Sequence, residues 1–288
     1  MHDEPVRRVA VLGHGPRADA LRAALADAVP GVGVVAVSGD GVRGPADLAG
    51  IDGVLVATTG SERAATVLAC LAAAVPVLVD PPLAGDPDTA AALVEAAARA
   101  EATVGPGALR VGFARRHDPR FRDLRAHLAA GAVGEVRLVR AVEVREGPGP
   151  LGAGEAAGAR VLAVALDTLA WLLDDSVAAV RCEDHGDLCL LTATTRDGRT
   201  LDLEVGDGAD GDGEVRWEVV GSDGSAELLT RAAWLAEADR ILLVAWARQL
   251  GGATPIAAGP ADGLAADRAV AAARASLDAG TGVPVVPR

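Results

Sequence analysis

The apolar run Arg8-Val9-Ala10-Val11-Leu12 turns directly into Gly13-His14-Gly15-Pro16-Arg17-Ala18 and then into an alanine-rich stretch reaching Ala28. Strand, glycine loop and amphipathic helix in that order open a parallel βαβ unit, and few other architectures accept them. The spacing is that of a dinucleotide-binding fingerprint. Gly13 permits a tight turn, Gly15 lets the backbone approach a pyrophosphate, and Ala18 lets the helix pack close to the strand. The helix start offers unpaired N–H groups to phosphate. His14, Pro16 and Arg17 belong to the same loop and join the two glycines as candidate cofactor contacts. An acidic residue should follow about 20 positions later to hold the adenosine ribose. Asp40 stands near that place, while Arg43 suits a 2′-phosphate, so NAD and NADP are both compatible.

Residues 8 to 105 continue the alternation. Val32 to Val37, Gly53 to Ala57 and Val75 to Val79 read as strands, separated by helical runs at 18–28 and 61–73. Asp86-Pro87 is an N-cap followed by proline at the first helical position, opening a helix to about Ala102. The second half changes texture. Helices over 118–130 and 156–173 flank a strand over 134–144, and short strands follow at 177–182, 188–195, 201–205, 214–220 and 226–229. Helices at 234–250 and 264–279 close the chain. The expected fold is α/β: a doubly wound parallel Rossmann sheet over residues 1–110, then an α+β domain over 111–288 with an open, mainly antiparallel sheet. The last helix is a candidate to pack back on the first domain.

With 288 residues, half of them hydrophobic, the chain can bury two modest cores. Its net charge of −13 argues against nucleic acid or an anionic membrane as the main partner. The start, Met1 to Arg8, is polar and lacks the apolar core of a signal peptide. No apolar stretch is long enough to span a bilayer. Three scattered cysteines suit a reduced, cytoplasmic protein. All 27 basic side chains are arginines, a bias that reads as GC-rich coding and leaves folding nearly untouched.

Six segments in order resemble the Gfo/Idh/MocA oxidoreductases across nearly the whole chain. The first is the glycine loop. Gly53 to Ala57 with Thr58-Thr59-Gly60-Ser61 is similar to that family's strand and A-T-P-x-x-x-H turn, which makes Thr58 a further cofactor contact. Val75 to Ala84 resembles its H-V-L-V-E-K-P-L-A segment, and Val111 to Pro119 its V-G-F-x-R-R-F-D-P entry to the second domain. Gly131 to Val136 and Glu218 to Gly224 are similar to its G-x-I-G-E-V and E-V-V-G-S-E-G turns. The resemblance implies an NAD- or NADP-dependent oxidoreductase of a small molecule, with substrate between sheet and nicotinamide. It also implies a homo-oligomer formed through the C-terminal sheet.

Against that pattern, the chemistry is altered. Pro81 stands where the family has its catalytic lysine. On the helix of 156–173, Arg160 and Val164 occupy the acid and histidine positions of D-x-x-x-H-x-x-D, and only Asp167 matches. Arg63 replaces the histidine of the A-T-P turn. Neither proline nor valine relays a proton, and arginine is a poor base. The remaining catalytic candidates are Asp167, Asp80 and His117, the last oriented by Asp118. Arg115 and Arg116 suit either a bound carboxylate or a structural ion pair. Cys182, His185 and Cys189 superficially suit zinc, but two strands around a turn explain them better, and no metal site is expected. Asp207, Asp210, Asp212 and Glu214 lack calcium-loop spacing. The expected function is an oxidoreductase with a degenerate proton-transfer site, reducing an activated small molecule. A non-redox isomerase, cyclase or lyase on the same scaffold, or an inactive sensor or scaffold, are the alternatives.

Overall fold

The computed structural model describes residues 7–29, 31–35, 42, 45–145, 155–186, 188–207 and 213–285. The chain forms two compact units. Met1–Ala114 with Asp239–Leu264 make the first, and Arg115–Ala238 with Ala265–Arg288 the second.

The first unit is a five-stranded parallel sheet ordered β2-β1-β3-β4-β5. Its strands are β1 (Arg7–Leu12), β2 (Val32–Val35), β3 (Gly53–Val56), β4 (Val77–Val79) and β5 (Leu109–Val111). Helices α1 (Pro16–Ala28), α2 (Ser61–Ala72) and α3 (Pro87–Val104) connect them. Strand β3 is buried at all four positions, as a strand covered on both faces requires. The cap of α3 forms as its residues dictate, Asp86 accepting from the Thr89 amide at 2.8 Å. A later segment completes this core. Leu242, Leu243 and Trp246 of α6 (Ala232–Leu250) pack with Val9, Leu25, Leu55 and Leu78.

The second unit holds a seven-stranded sheet ordered β11-β10-β6-β9-β8-β7-β12. Strand β6 is Val136–Arg145, β7 Val177–Asp184, β8 Leu188–Thr195, β9 Thr200–Asp207, β10 Glu214–Gly221, β11 Ser225–Arg231 and β12 Val283–Pro284. Every neighbouring pair is antiparallel except β6 and β9, which run parallel. Val139, Leu191, Leu203 and Trp217 lie on the buried face. Arg140, Asp202, Glu204 and Arg216 alternate with them on the exposed one. Helices α4 (Pro119–Ala129), α5 (Glu155–Leu173) and α7 (Pro260–Ala279) complete the set. Among the described residues, no helix is long and apolar enough to cross a membrane.

Candidate functional site

The glycine loop joins β1 to α1 at the carboxyl edge of the parallel sheet. Gly13 has φ +134°, and a Cβ there would stand 2.6 Å from the carbonyl carbon and oxygen of Ala57 at the end of β3. No other residue fits that approach. Gly15 has φ +87° and nothing within 4 Å of its added Cβ, so the backbone faces open space. Gly15 is also the N-cap of α1 and no side chain caps the helix, which leaves N–H groups of the first turn available to an anion. Beside the loop, Thr58 is 6% exposed and its Oγ1 has no hydrogen-bond partner. A constrained glycine, an open one, an uncapped helix start and an orphaned hydroxyl are what a dinucleotide pyrophosphate requires. The residues fit that group. His14 and Pro16 are exposed on the same loop.

Arg17 behaves otherwise than its loop position implies. Its Nε and Nη2 donate to Asp80 Oδ1 at 3.0 and 2.6 Å, Nη2 also to Asp239 Oδ1 at 2.9 Å, and Nη1 to Asp239 Oδ2. Burial works against the guanidinium, but the two carboxylates outweigh it and hold Arg17 above the ordinary arginine range. Asp80, at the end of β4, is therefore committed to an ion pair. Pro81 beside it is buried, and its ring lies 3.8 Å from where a Cβ of Gly112 would be.

Arg63 is 4% exposed and donates from Nε to the Thr58 carbonyl at 2.7 Å and from Nη1 to the Asp80 carbonyl at 3.1 Å. The Pro82 carbonyl accepts from the same guanidinium. The residue at the histidine position thus ties the ends of β3 and β4 together. Its signal in the sequence was only the mismatch itself. Asp239 gave no signal, since its partner lies 222 positions away. Asp40 and Arg43 lie outside the described residues, as do Asp210 and Asp212.

The other two catalytic candidates lie in the second unit. Asp167, on α5, receives Arg116 Nε at 3.0 Å and Nη2 at 2.5 Å, a bidentate pair in which the side chains are 3% and 8% exposed. Val164, one turn earlier, is buried at 8% exposure and Arg160 is half-buried. His117 ends a 3-10 turn, Ala114–His117. The expected orienting partner is elsewhere engaged. Asp118 caps α4 by accepting from the Arg120 amide at 2.9 Å and also takes the Arg120 guanidinium. The reason is local: a helix N-terminus one residue away outcompetes a side-chain pairing. His117 Nε2 is buried without a partner, and burial first, then Arg122 and Arg116, push its pKa down to about 4. It is a neutral imidazole at pH 7.

Arg115 and Glu143 approach to 2.6 Å at 3% and 0% exposure, without the directionality of a hydrogen bond. This arginine is structural, standing 5.4 and 5.6 Å from the Phe121 and Trp217 ring centroids. Cys182 and Cys189 bring their sulfurs to 3.3 Å, whereas His185 is exposed beside Glu183. Among the described residues no cluster of three or more His, Cys, Asp or Glu has metal-site geometry.

Parallel sheet, glycine cradle and open second sheet define a two-domain dehydrogenase architecture. No family model matches the chain. Inositol 2-dehydrogenase 2 of Paenarthrobacter aurescens is 32% identical over 244 residues, 74% of each chain. Inositol 2-dehydrogenase 3 of Saccharopolyspora erythraea is 32% identical over 202 residues, 66% of this chain and 57% of that one. The structure of myo-inositol dehydrogenase from Lactobacillus casei in complex with NAD(H) and myo-inositol superposes with a TM-score of 0.82, at 22% identity and covering 98% of each chain. The chain belongs to the Gfo/Idh/MocA family of oxidoreductases.

Proposed function

We propose that the chain is an NAD-type oxidoreductase that reduces a small molecule whose reacting carbon is already activated, such as an iminium or enone. The observation that carries the reading is the glycine cradle, where Gly13 tolerates no side chain and Gly15 faces open space. The relatives named as inositol 2-dehydrogenases, and the solved complex holding NAD(H), support the cofactor class. Bound at the loop, the dinucleotide supplies hydride. The N–H groups at the start of α1 hold the pyrophosphate. Arg63 keeps the ends of β3 and β4 in register, and Asp80 positions Arg17. Asp167 positions Arg116, and His117 keeps a neutral imidazole with a buried, unpartnered Nε2.

The acceptor class follows from proton bookkeeping. Oxidising an unactivated polyol requires a base to take the hydroxyl proton. Pro81 and Val164 have no titrating atom, Arg160 stays charged, Asp80 and Asp167 are tied to arginines, and His117, its pKa held down to about 4 by burial, is a weak base for a hydroxyl proton. An iminium needs only positioned hydride. The exposed face of the second sheet, with Arg140, Asp202, Glu204 and Arg216, is the surface we assign to self-association.

Calorimetric titration with NAD+, NADH, NADP+ and NADPH tests the cofactor reading. Micromolar saturation by at least one form is expected, and binding of none of the four overturns it. With NADH, a cyclic imine should be consumed faster than myo-inositol is oxidised with NAD+. The reverse order removes the activated-acceptor part. Because every carboxylate at the two sites is held in an ion pair, tight binding with no turnover of either probe would favour a nucleotide-sensing member instead.

A further inference from the structure

Strands β7 and β8 form an antiparallel hairpin in which Cys182 pairs with Leu191 and Cys189 with Asp184. The two cysteines are thus offset by two residues and lie on one face of the sheet. Both are buried, at 3% and 0% exposure, and their Sγ atoms are 3.3 Å apart. A disulfide needs about 2.05 Å between sulfurs, about 1.2 Å less than their present separation. Cys70, the third cysteine, is buried in the first unit.

We propose that Cys182 and Cys189 form a dithiol–disulfide site that takes a low-molecular-weight disulfide as its oxidant. Access comes from the hairpin tip. Cys189 lies opposite Asp184, next to the turn closed by the His185 amide and the Leu188 carbonyl at 2.8 Å, and Asp184, His185 and Gly186 are exposed. On its other side β7 pairs with the two residues of β12, and the Cys182 amide meets Ser276 of α7. Opening the first pairs of this hairpin, a local event well short of global unfolding, uncovers both sulfurs.

The exchange runs in two steps. Cys182 is the attacking group, because the hydrogen bond shared with Cys189 draws its pKa below the usual thiol range. Its thiolate attacks one sulfur of the small disulfide, forming a mixed disulfide and releasing one small thiol. Cys189 then attacks Cys182 Sγ and releases the second. Two electrons pass from the protein to the oxidant, and the two thiol protons leave on the two small thiols. The product staples a hairpin whose Cys182 amide also donates to Ser276 Oγ of α7 at 3.0 Å.

The test is a thiol count on full-length protein equilibrated with oxidised glutathione, then denatured without reductant. The reduced protein titrates three thiols. The proposal requires one thiol after oxidation, a peptide cross-link between Cys182 and Cys189 with loss of two hydrogens, and full recovery with dithiothreitol. Cys189→Ser should stop at a glutathione adduct on Cys182. Three thiols after oxidation, stable adducts in the wild type, or a cross-link reaching Cys70 would each overturn it. The wild-type count decides the matter even if the variant does not fold.

Discussion

Removing the charge of Glu143 while keeping its shape leaves Arg115 as an unpaired cation inside the second unit. The guanidinium is 3% exposed and sits between Phe121 and Trp217, so water cannot replace the lost carboxylate. Breaking a buried pair in this way costs about 3–5 kcal/mol. For a cooperative unit of this size that corresponds to a fall in Tm of about 6–20 °C. Glu143→Gln should therefore be severely destabilised in urea denaturation followed by fluorescence, to which Trp217 reports directly. The double variant Arg115→Met with Glu143→Leu removes both charges and refills the space. It should recover to within about 1 kcal/mol of the wild type or exceed it, because neither desolvation cost remains. A single variant as stable as the wild type, or a double variant no better than the single, would refute the buried-pair account.

His117 gives a pH signature. Its folded pKa of about 4 lies below the ordinary 6.5, so between these values the unfolded chain binds the extra proton. The stability it contributes is present above pH 6.5 and is lost as pH falls toward 4, by up to about 3 kcal/mol. His117→Phe should flatten that part of the profile in melts from pH 4.5 to 7.5, and an unchanged slope counts against the assignment. Gly13→Ala should abolish nucleotide binding in calorimetry, since the Cβ would stand 2.6 Å from Ala57 backbone. Native affinity in that variant would mean the cradle is not the site.

Much of the parallel unit was legible because its signals are local. The glycine loop, the Asp86-Pro87 cap and the alternation of short apolar runs with alanine-rich ones each act within a few residues. Strand β5 escaped because three residues carry no periodicity. Helix α7 begins at Pro260, four residues before the sequence reading, and takes in Gly263. It is a packing residue: a Cβ there would meet Leu83 Cβ at 2.8 Å and Val111 Cγ2 at 2.9 Å. The site was half legible. Residue types at positions 81, 160 and 164 set the expectation of altered chemistry, whereas the Arg17–Asp239 pairing depends on contacts that no local pattern encodes.

That pairing and the Leu242-Leu243-Trp246 cluster share a source, the segment Asp239–Leu264, which belongs to the first unit although it follows most of the second in the sequence. During synthesis the dinucleotide-type sheet can be complete in sequence by Ala114 and still lack part of its core. It stays unfinished until well over a hundred further residues have left the ribosome, so the usual order of N-terminal domain first cannot run to completion here. A fragment ending before Asp239 should behave as an unfinished sheet in search of a helix, and supplying residues 239–264 in trans is the natural way to rescue it.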